Sequence, residues 1–403
     1  MARRIFAYTG TYQTQHWFSD ERRPSSLGAL VGAAAQGVGI GRYAFDPGTG
    51  AVELLGITPA ANNPATLWVS ADQKYLYAAH ETKNYNNVRG VGGAVSAYAI
   101  DPATGALALI NTVPSCGTFA AYVTADARGE YVAVANHASY FYNTAFEPTP
   151  DGDYTPRVLR DVGSVALFRV RADGGLEEAC DVQVLPGQGH DAFNQGSAHP
   201  HAVKFTPDDF VIAPNKGADA VDVFRLDRAA GRLQPVEHFA AEPGAAPRHL
   251  AVHPRENQLF IMNEFNNKLV SYTWDRETGR LREVQRALTV PPQYVEKSYT
   301  SGDVALHPNG KFLYGTNHTF RSLVAYRVRA DATLELLGNF RQGVGSYREI
   351  AIDPTGNFLA AGDLETGSLH VWCIDPATGW LSRTEHTAPA SYPSCLHFAQ
   401  LDG

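Results

Sequence analysis

One short element recurs seven times along the 403 residues and limits what the chain can become. It reads D-x-x-[TG]-G-x-L. The copies are DPGTGAVEL at Asp46, DPATGALAL at Asp101, ADGGLEEA at Asp173, DRAAGRLQP at Asp227, DRETGRLRE at Asp275, ADATLELL at Asp331 and DPATGWLSR at Asp375. An Asp followed by Gly between alternating apolar stretches marks a tight hairpin turn. The spacing of about 55 residues is that of a propeller blade.

A second element alternates with the first: a strand, an acidic, Pro or Gly turn, and a second apolar strand. Its six copies are ATLWVSADQKYLYAAHE, AAYVTADARGEYVAVANH, HAVKFTPDDFVIAPNK, RHLAVHPRENQLFIMNE, GDVALHPNGKFLYGTNH and REIAIDPTGNFLAAGD. The seventh is divided between the termini, with SCLHF at 394–398 as its first strand and RRIFAYTGTY at 3–12 as its second. An array that completes one repeat from its two ends is circular and leaves no open sheet edge. The expectation is therefore an all-β, seven-bladed β-propeller over 1–403, closed by pairing of the N- and C-terminal strands. A doubly wound α/β fold would need amphipathic helices of about 10–15 residues between strands, and none is present. No linker breaks the array into domains. Its irregularities are insertions at about 13–36, 137–162, 183–199 and 291–301, lengths associated with lids and binding loops.

Composition narrows function. The net charge is −8, no basic run occurs, and no apolar stretch reaches the length that spans a bilayer, so neither nucleic acid nor membrane is an expected partner. The start, MARRIFAYTGTYQ, alternates like a strand and lacks the apolar run of a secretory signal. Cys116, Cys180, Cys373 and Cys395 lie far apart without a CxxC, and read as reduced core thiols of a cytoplasmic protein. A closed propeller needs no second copy, so a monomer is expected.

The repeats also align equivalent positions. The first strand of a blade lines the axial channel and the second returns beside it, so strand-one starts and strand-two ends share one face. The starts are Ala65, Ala121, His201, Arg248, Gly302, Arg348 and Ser394; the ends are Thr11, Glu81, His137, Lys216, Glu264, His318 and Leu364. The Asn residues just before several of these ends read as structural side chains bonding the backbone. Most first-ring residues are small. His201, Arg248 and Arg348 break that pattern on one arc, with Glu264 and His318 beside them. Two guanidiniums, two imidazoles and a carboxylate suit an organic anion and general acid–base chemistry. His199 and His201 share a strand face, yet no motif supplies further ligands, so no metal and no cofactor is expected. GxSxG, Walker and GxGxxG motifs are absent from any strand–turn–helix setting.

The stretches YTGTY, HPHAVKFTPD, GAAPRHLAVHP…FIMNEF, SGDVALHPNGKFLY and SYREIAIDPTGNFLAAG resemble the seven-bladed lactonase family, which includes 6-phosphogluconolactonases and carboxymuconate-lactonising enzymes. The resemblance covers almost the whole chain. It implies a metal-free site at one mouth, with His201, Arg248 of the PRH motif and Glu264 of the NE motif as catalytic residues, and Arg348 as a further arginine. Asp303 stands where many members carry Glu, and His318 where many carry Arg. Arg321, three residues on, is the basic group that would reach back. With Glu81 and His199, these complete the expected substrate-binding set of His318, Arg348, Asp303 and Arg321.

The expected reaction is opening of a sugar-derived or related lactone, with His201 as base, Arg248 at the oxyanion, and Glu264 orienting, charge-pairing or protonating the leaving alkoxide. The alternatives are a cycloisomerase, which runs the related ring closure, and a non-catalytic binding module. For the last, aromatic groups on the inserted loops (His16, Trp17 and Phe18, or Tyr140, Phe141 and Tyr142) would form a partner surface or a lid.

Overall fold

The computed structural model describes residues 3–12, 39–60, 63–83, 92–140, 142–297, 300–341 and 343–402. Seven four-stranded antiparallel sheets stand around an axis. In chain order, blade 1 spans 64–114, blade 2 spans 120–184, blade 3 spans 204–240, blade 4 spans 247–288, blade 5 spans 304–340 and blade 6 spans 347–389. Blade 7 joins Pro393–Leu401 to Arg4–Thr11, Gly39–Phe45 and Val52–Pro59. Eight residue pairs, from Arg4↔Leu401 to Thr11↔Pro393, close the ring between the chain ends. Apolar side chains fill the spaces between sheets, with Tyr8, Tyr77, Tyr131, Tyr272, Tyr314 and Tyr326 among the largest fully buried groups.

All seven repeated Asp residues act alike. Each carboxylate accepts a backbone N–H two or three residues on, at 2.7–3.0 Å, in the turn between third and fourth strands. The glycine of this turn needs a left-handed backbone: Gly279 has φ +77°, and a Cβ there would lie 2.3 Å from the Phe210 ring of blade 3. In blade 5 Ala332 takes that conformation instead, at φ +66°. The strand-end amides are structural. Asn136 donates to the Ser115 carbonyl and Asn317 to that of Thr289, each at 2.8 Å.

Strand direction puts these turns on one face and the insertions at 137–162, 183–199 and 291–301 on the other, as far as their residues are described. Insertion 137–162 contains a two-stranded hairpin, Tyr142–Pro148 with Tyr154–Arg160. Residues 13–38, and with them the aromatic group at 16–18, lie outside the described residues, as does 141. The thiols depart from expectation. All four are unpaired, but only Cys395 is buried; Cys116 and Cys373 are exposed. Cys116 sits in a turn at φ +59°, and Cys373 lies on the outward side of the third strand of blade 6.

The first strands carry a feature that period-two reading does not reveal. Pro247 pairs with Asn263 and His249 with Met262, so Arg248 is an extra, unpaired residue. The same irregularity singles out Ala65, Ala121, Ser394 and, in blade 6, the Arg348–Glu349 step. A β-bulge re-aims side chains that alternation would send to opposite faces. Here it turns two consecutive residues, such as Arg248 and His249, toward the axis.

Candidate active site

Every blade but the sixth contributes a strand-two end to the upper mouth, and the sixth contributes its bulge. Glu264 is the electrostatic hub. Its Oε2 lies 2.7 Å from Lys216 Nζ and 3.3 Å from Arg248 Nε. Lys216, Arg248 and Glu264 are only 5%, 3% and 9% exposed. Burial opposes ionisation of Glu264, but Lys216 and then Arg248 outweigh it and hold the carboxyl down at about 2. Burial likewise disfavours the Lys216 ammonium, and Glu264 more than compensates, so its pKa is raised. Arg248 Nη1 also donates to the Gly302 carbonyl of the next blade.

Opposite this group, Tyr12 donates its hydroxyl to Glu81 Oε2 at 2.8 Å, and the Arg348 guanidinium lies 5.1 Å from the Tyr12 ring centroid. Burial pushes the Glu81 carboxyl up against the pull of Arg348. Glu349, beside Arg348, is pushed well up by burial and by the negative charge of Asp303. Half-buried His318 is held neutral, down at about 3, by burial and by Arg348 and Arg248. Lys216, Arg248 and Arg348 thus converge on a mouth where burial works against ionisation of Glu81 and Glu349, an arrangement that suits an anionic ligand.

The histidines form a stack on the blade 2–3 side. His201 meets the His137 ring edge-on at 5.2 Å, and His199 stacks on His137 at 4.8 Å. His199 Nδ1 donates to the His137 carbonyl at 2.7 Å, and its Nε2 lies 3.5 Å from Ser197 Oγ. It thus supports His137 from behind. Tyr140 packs against both His137 and His199, its hydroxyl 3.2 Å from His137 Nε2. Burial, then Arg248, drives the His201 pKa well below the usual imidazole range. His201 Nδ1 is 3.2 Å from His249 Nε2, and His249 Nδ1 is 2.8 Å from Asp303 Oδ1.

Deeper in the channel a cavity of about 230 Å³ is lined by Trp68, Tyr122, Lys204, Asp303, Glu349 and His397, among others. Asp303 thus lies one layer below the mouth, behind His249.

The structure brings together His201, Arg248, Glu264, His318, Arg348 and Glu81. It does not bring Arg321, which is 57% exposed and pairs with Glu365 of blade 6. Lys216 was one of the aligned strand ends, but nothing in its repeat marked it as the partner of Glu264. Tyr12, His249 and Glu349 were missed. The last two follow the ring residues Arg248 and Arg348, and only a repeated bulge would have flagged them. Among the described residues no three His, Cys, Asp or Glu side chains are grouped to hold a metal, and no helix is long and apolar enough to cross a membrane.

Known proteins share this arrangement of sheets. A family model described as a seven-bladed β-propeller lactonase matches residues 8–398. The 6-phosphogluconolactonase of Bacillus subtilis is 27% identical over 373 residues, covering 91% of this chain and 97% of that protein. That of Formosa agariphila is 26% identical over 356 residues, covering 86% and 91%. The solved structure of a Pseudomonas aeruginosa periplasmic gluconolactonase matches with a TM-score of 0.78 at 26% identity, covering 99% of this chain and all of that one. With the match extending over almost its whole length, the chain belongs to the seven-bladed β-propeller lactonase family.

Proposed function

We propose that this protein is a hydrolase that opens a sugar-derived lactone bearing an anionic group, as a 6-phosphogluconolactonase does. The observation that carries the reading is the mouth's cluster of cations, where Lys216, Arg248 and Arg348 converge and Glu264 is the one carboxyl of the mouth held below the usual carboxylate range. Arg348, with His318 beside it, binds the substrate's phosphate or carboxylate. His201, neutral at working pH, takes a proton from water as the water oxygen adds to the carbonyl carbon. Arg248 faces the oxygen on which negative charge develops.

Glu264 takes the charge-pairing role among those expected of it. A carboxyl held down at about 2 carries no proton to give, so it fixes Arg248 and Lys216 in place. The proton returned to the ring oxygen as the C–O bond breaks then comes from the His201 imidazolium. No step calls for a metal.

A second reading has one observation in its favour. Ring closure on an unsaturated diacid needs a proton donor to carbon, and the Glu349 carboxyl, next to Arg248 and Arg348, is pushed well up by burial and by Asp303. An initial-rate assay of proton release against 6-phosphogluconolactone, unphosphorylated aldonolactones and muconolactones, corrected for spontaneous hydrolysis, separates the two. Catalysed opening of the phosphorylated lactone supports the proposal. Turnover of muconolactones alone favours the cycloisomerase.

A further inference from the structure

The base has two ring nitrogens, and only the one carrying no proton can act. What decides between them is visible one layer below the mouth. Asp303 Oδ1 accepts from the Val304 backbone N–H at 2.8 Å and Oδ2 from the Ile350 N–H at 3.2 Å. Burial opposes its ionisation, but His249, Lys204 and the Ile350 N–H together outweigh that and hold it below the usual carboxylate range, an ionised acceptor. A carboxylate that only accepts requires a proton on His249 Nδ1, 2.8 Å away. Neutral His249 then has a bare Nε2, and the atom 3.2 Å from it, His201 Nδ1, must be the donor. That leaves His201 Nε2 with its lone pair, and among the described residues it makes no hydrogen bond.

We propose that Asp303 and His249 are positioning residues that hold His201 as its Nδ1–H tautomer and so present Nε2 to the attacking water. The inference rests on the lactonase reading for its chemistry, though the tautomer itself does not. The three side chains come from the strand starts of three successive blades, so the chain of hydrogen bonds runs around the channel wall. Ring contacts also hold the two imidazoles in place. The edge of the Tyr122 ring meets His249 with centroids 5.4 Å apart, and the His201 and His249 rings lie 5.0 Å apart.

During attack, the water proton moves to His201 Nε2, the water oxygen bonds to the carbonyl carbon, and the C=O electron pair moves to oxygen. The imidazolium keeps its Nδ1–H bond to His249, and the Asp303 charge behind it stabilises the cation. When the ring C–O bond breaks, Nε2 returns the proton to the departing oxygen. The other charges facing these groups are Arg248, Arg348, Lys216 and Lys204, with Glu349 Oε1 3.9 Å from His249 Nε2 and His137 and Tyr122 also near. Of these, Arg248 and Lys216 disfavour the His201 imidazolium directly. Asp303 is the ionised carboxylate joined to it through a hydrogen-bonded ring.

The test is Asp303→Asn, which preserves shape while removing the charge and placing an N–H donor where acceptors now stand. Expected is a fall in kcat on the order of 10²–10⁴-fold with KM within about threefold. The acid limb of the rate profile should move to lower pH, because the imidazolium has lost its counter-charge. A merely structural Asp303 would lower stability without moving that limb. Nitrogen NMR of ¹⁵N-histidine-labelled wild-type protein reads the tautomer directly, with His201→Gln assigning the resonance. The readout is taken on the wild-type protein and needs no known substrate. An Nδ1–H tautomer at His201 supports the proposal even if no lactone is turned over. An Nε2–H tautomer overturns it whatever the substrate, as does an Asp303→Asn enzyme with unchanged kcat and acid limb.

Discussion

Blades 1 and 4 have the same inner backbone and opposite chemistry. In blade 1, Pro64 pairs with His80 and Thr66 with Ala79, leaving Ala65 bulged; in blade 4, Pro247 pairs with Asn263 and His249 with Met262, leaving Arg248 bulged. Both second strands end on a buried glutamate, Glu81 and Glu264. The bulge is therefore a property of the scaffold. It also serves to join neighbouring blades. Thr66 Oγ donates to the Ala121 carbonyl, Ser394 Oγ to that of Ala65 at 2.9 Å, and Arg248 Nη1 to that of Gly302. The first two tie a blade to the bulge of the next, and the third ties blade 4 to the start of blade 5. Arg248 keeps this tie with one nitrogen and meets Glu264 with another, so a guanidinium adds chemistry without losing the joint that a hydroxyl makes elsewhere.

Removing that addition should have the largest effect. Arg248→Ala is expected to lower kcat/KM for the preferred lactone roughly 10²–10³-fold, measured by initial rates. If blade 4 mattered only as a joint, the loss would be in stability alone.

Lys216→Ala sharpens the comparison from the carboxylate side. It leaves Glu264 buried with Arg248 as its remaining close cation, and denaturant unfolding near pH 7 should show a loss of about 3–5 kcal/mol. The sign with pH follows from the depressed pKa of Glu264. In the wild type the ion pair's contribution is complete above the ordinary carboxylate value of 4.5 and is lost as pH falls toward about 2. The gap between variant and wild type should therefore narrow on acidification below about pH 4.5. Glu81, whose carboxyl is pushed up, gives no such term.

The smallest effect belongs to the chemically silent arc. Ser394→Ala removes one interblade tie and should lower stability by about 1 kcal/mol, leaving turnover within about twofold. A large loss of activity there would mean that the joints, and not the charged arc, set the geometry of the mouth.

The circular repeat made the fold readable, because seven Asp-capped turns and a divided seventh blade admit one closure. It also exposed the outlying residues His201, Arg248 and Arg348, since an internal alignment shows where small residues are the rule. What it concealed has a single physical origin. Alternation assigns neighbours to opposite faces, and the bulges at Arg248 and Arg348 break alternation where the site is built, hiding His249 and Glu349. Tyr12 was overlooked for another reason. It lies one residue past the closing strand, and its partner Glu81 belongs to the next blade. Cys116 and Cys373 are exposed because thiols follow the turn and the strand face they happen to occupy, whatever their average preference. Arg321 failed to reach the mouth because the turn after His318 carries it to Glu365.

The most direct test of the central claim, that the charged arc with His201 as base is the catalytic machinery, is the turnover rate of His201→Ala on the lactone the wild type prefers. The predicted residual rate is at least about 10²-fold below wild type, with thermal stability and ligand affinity little changed. Wild-type turnover in a folded His201→Ala protein would contradict it.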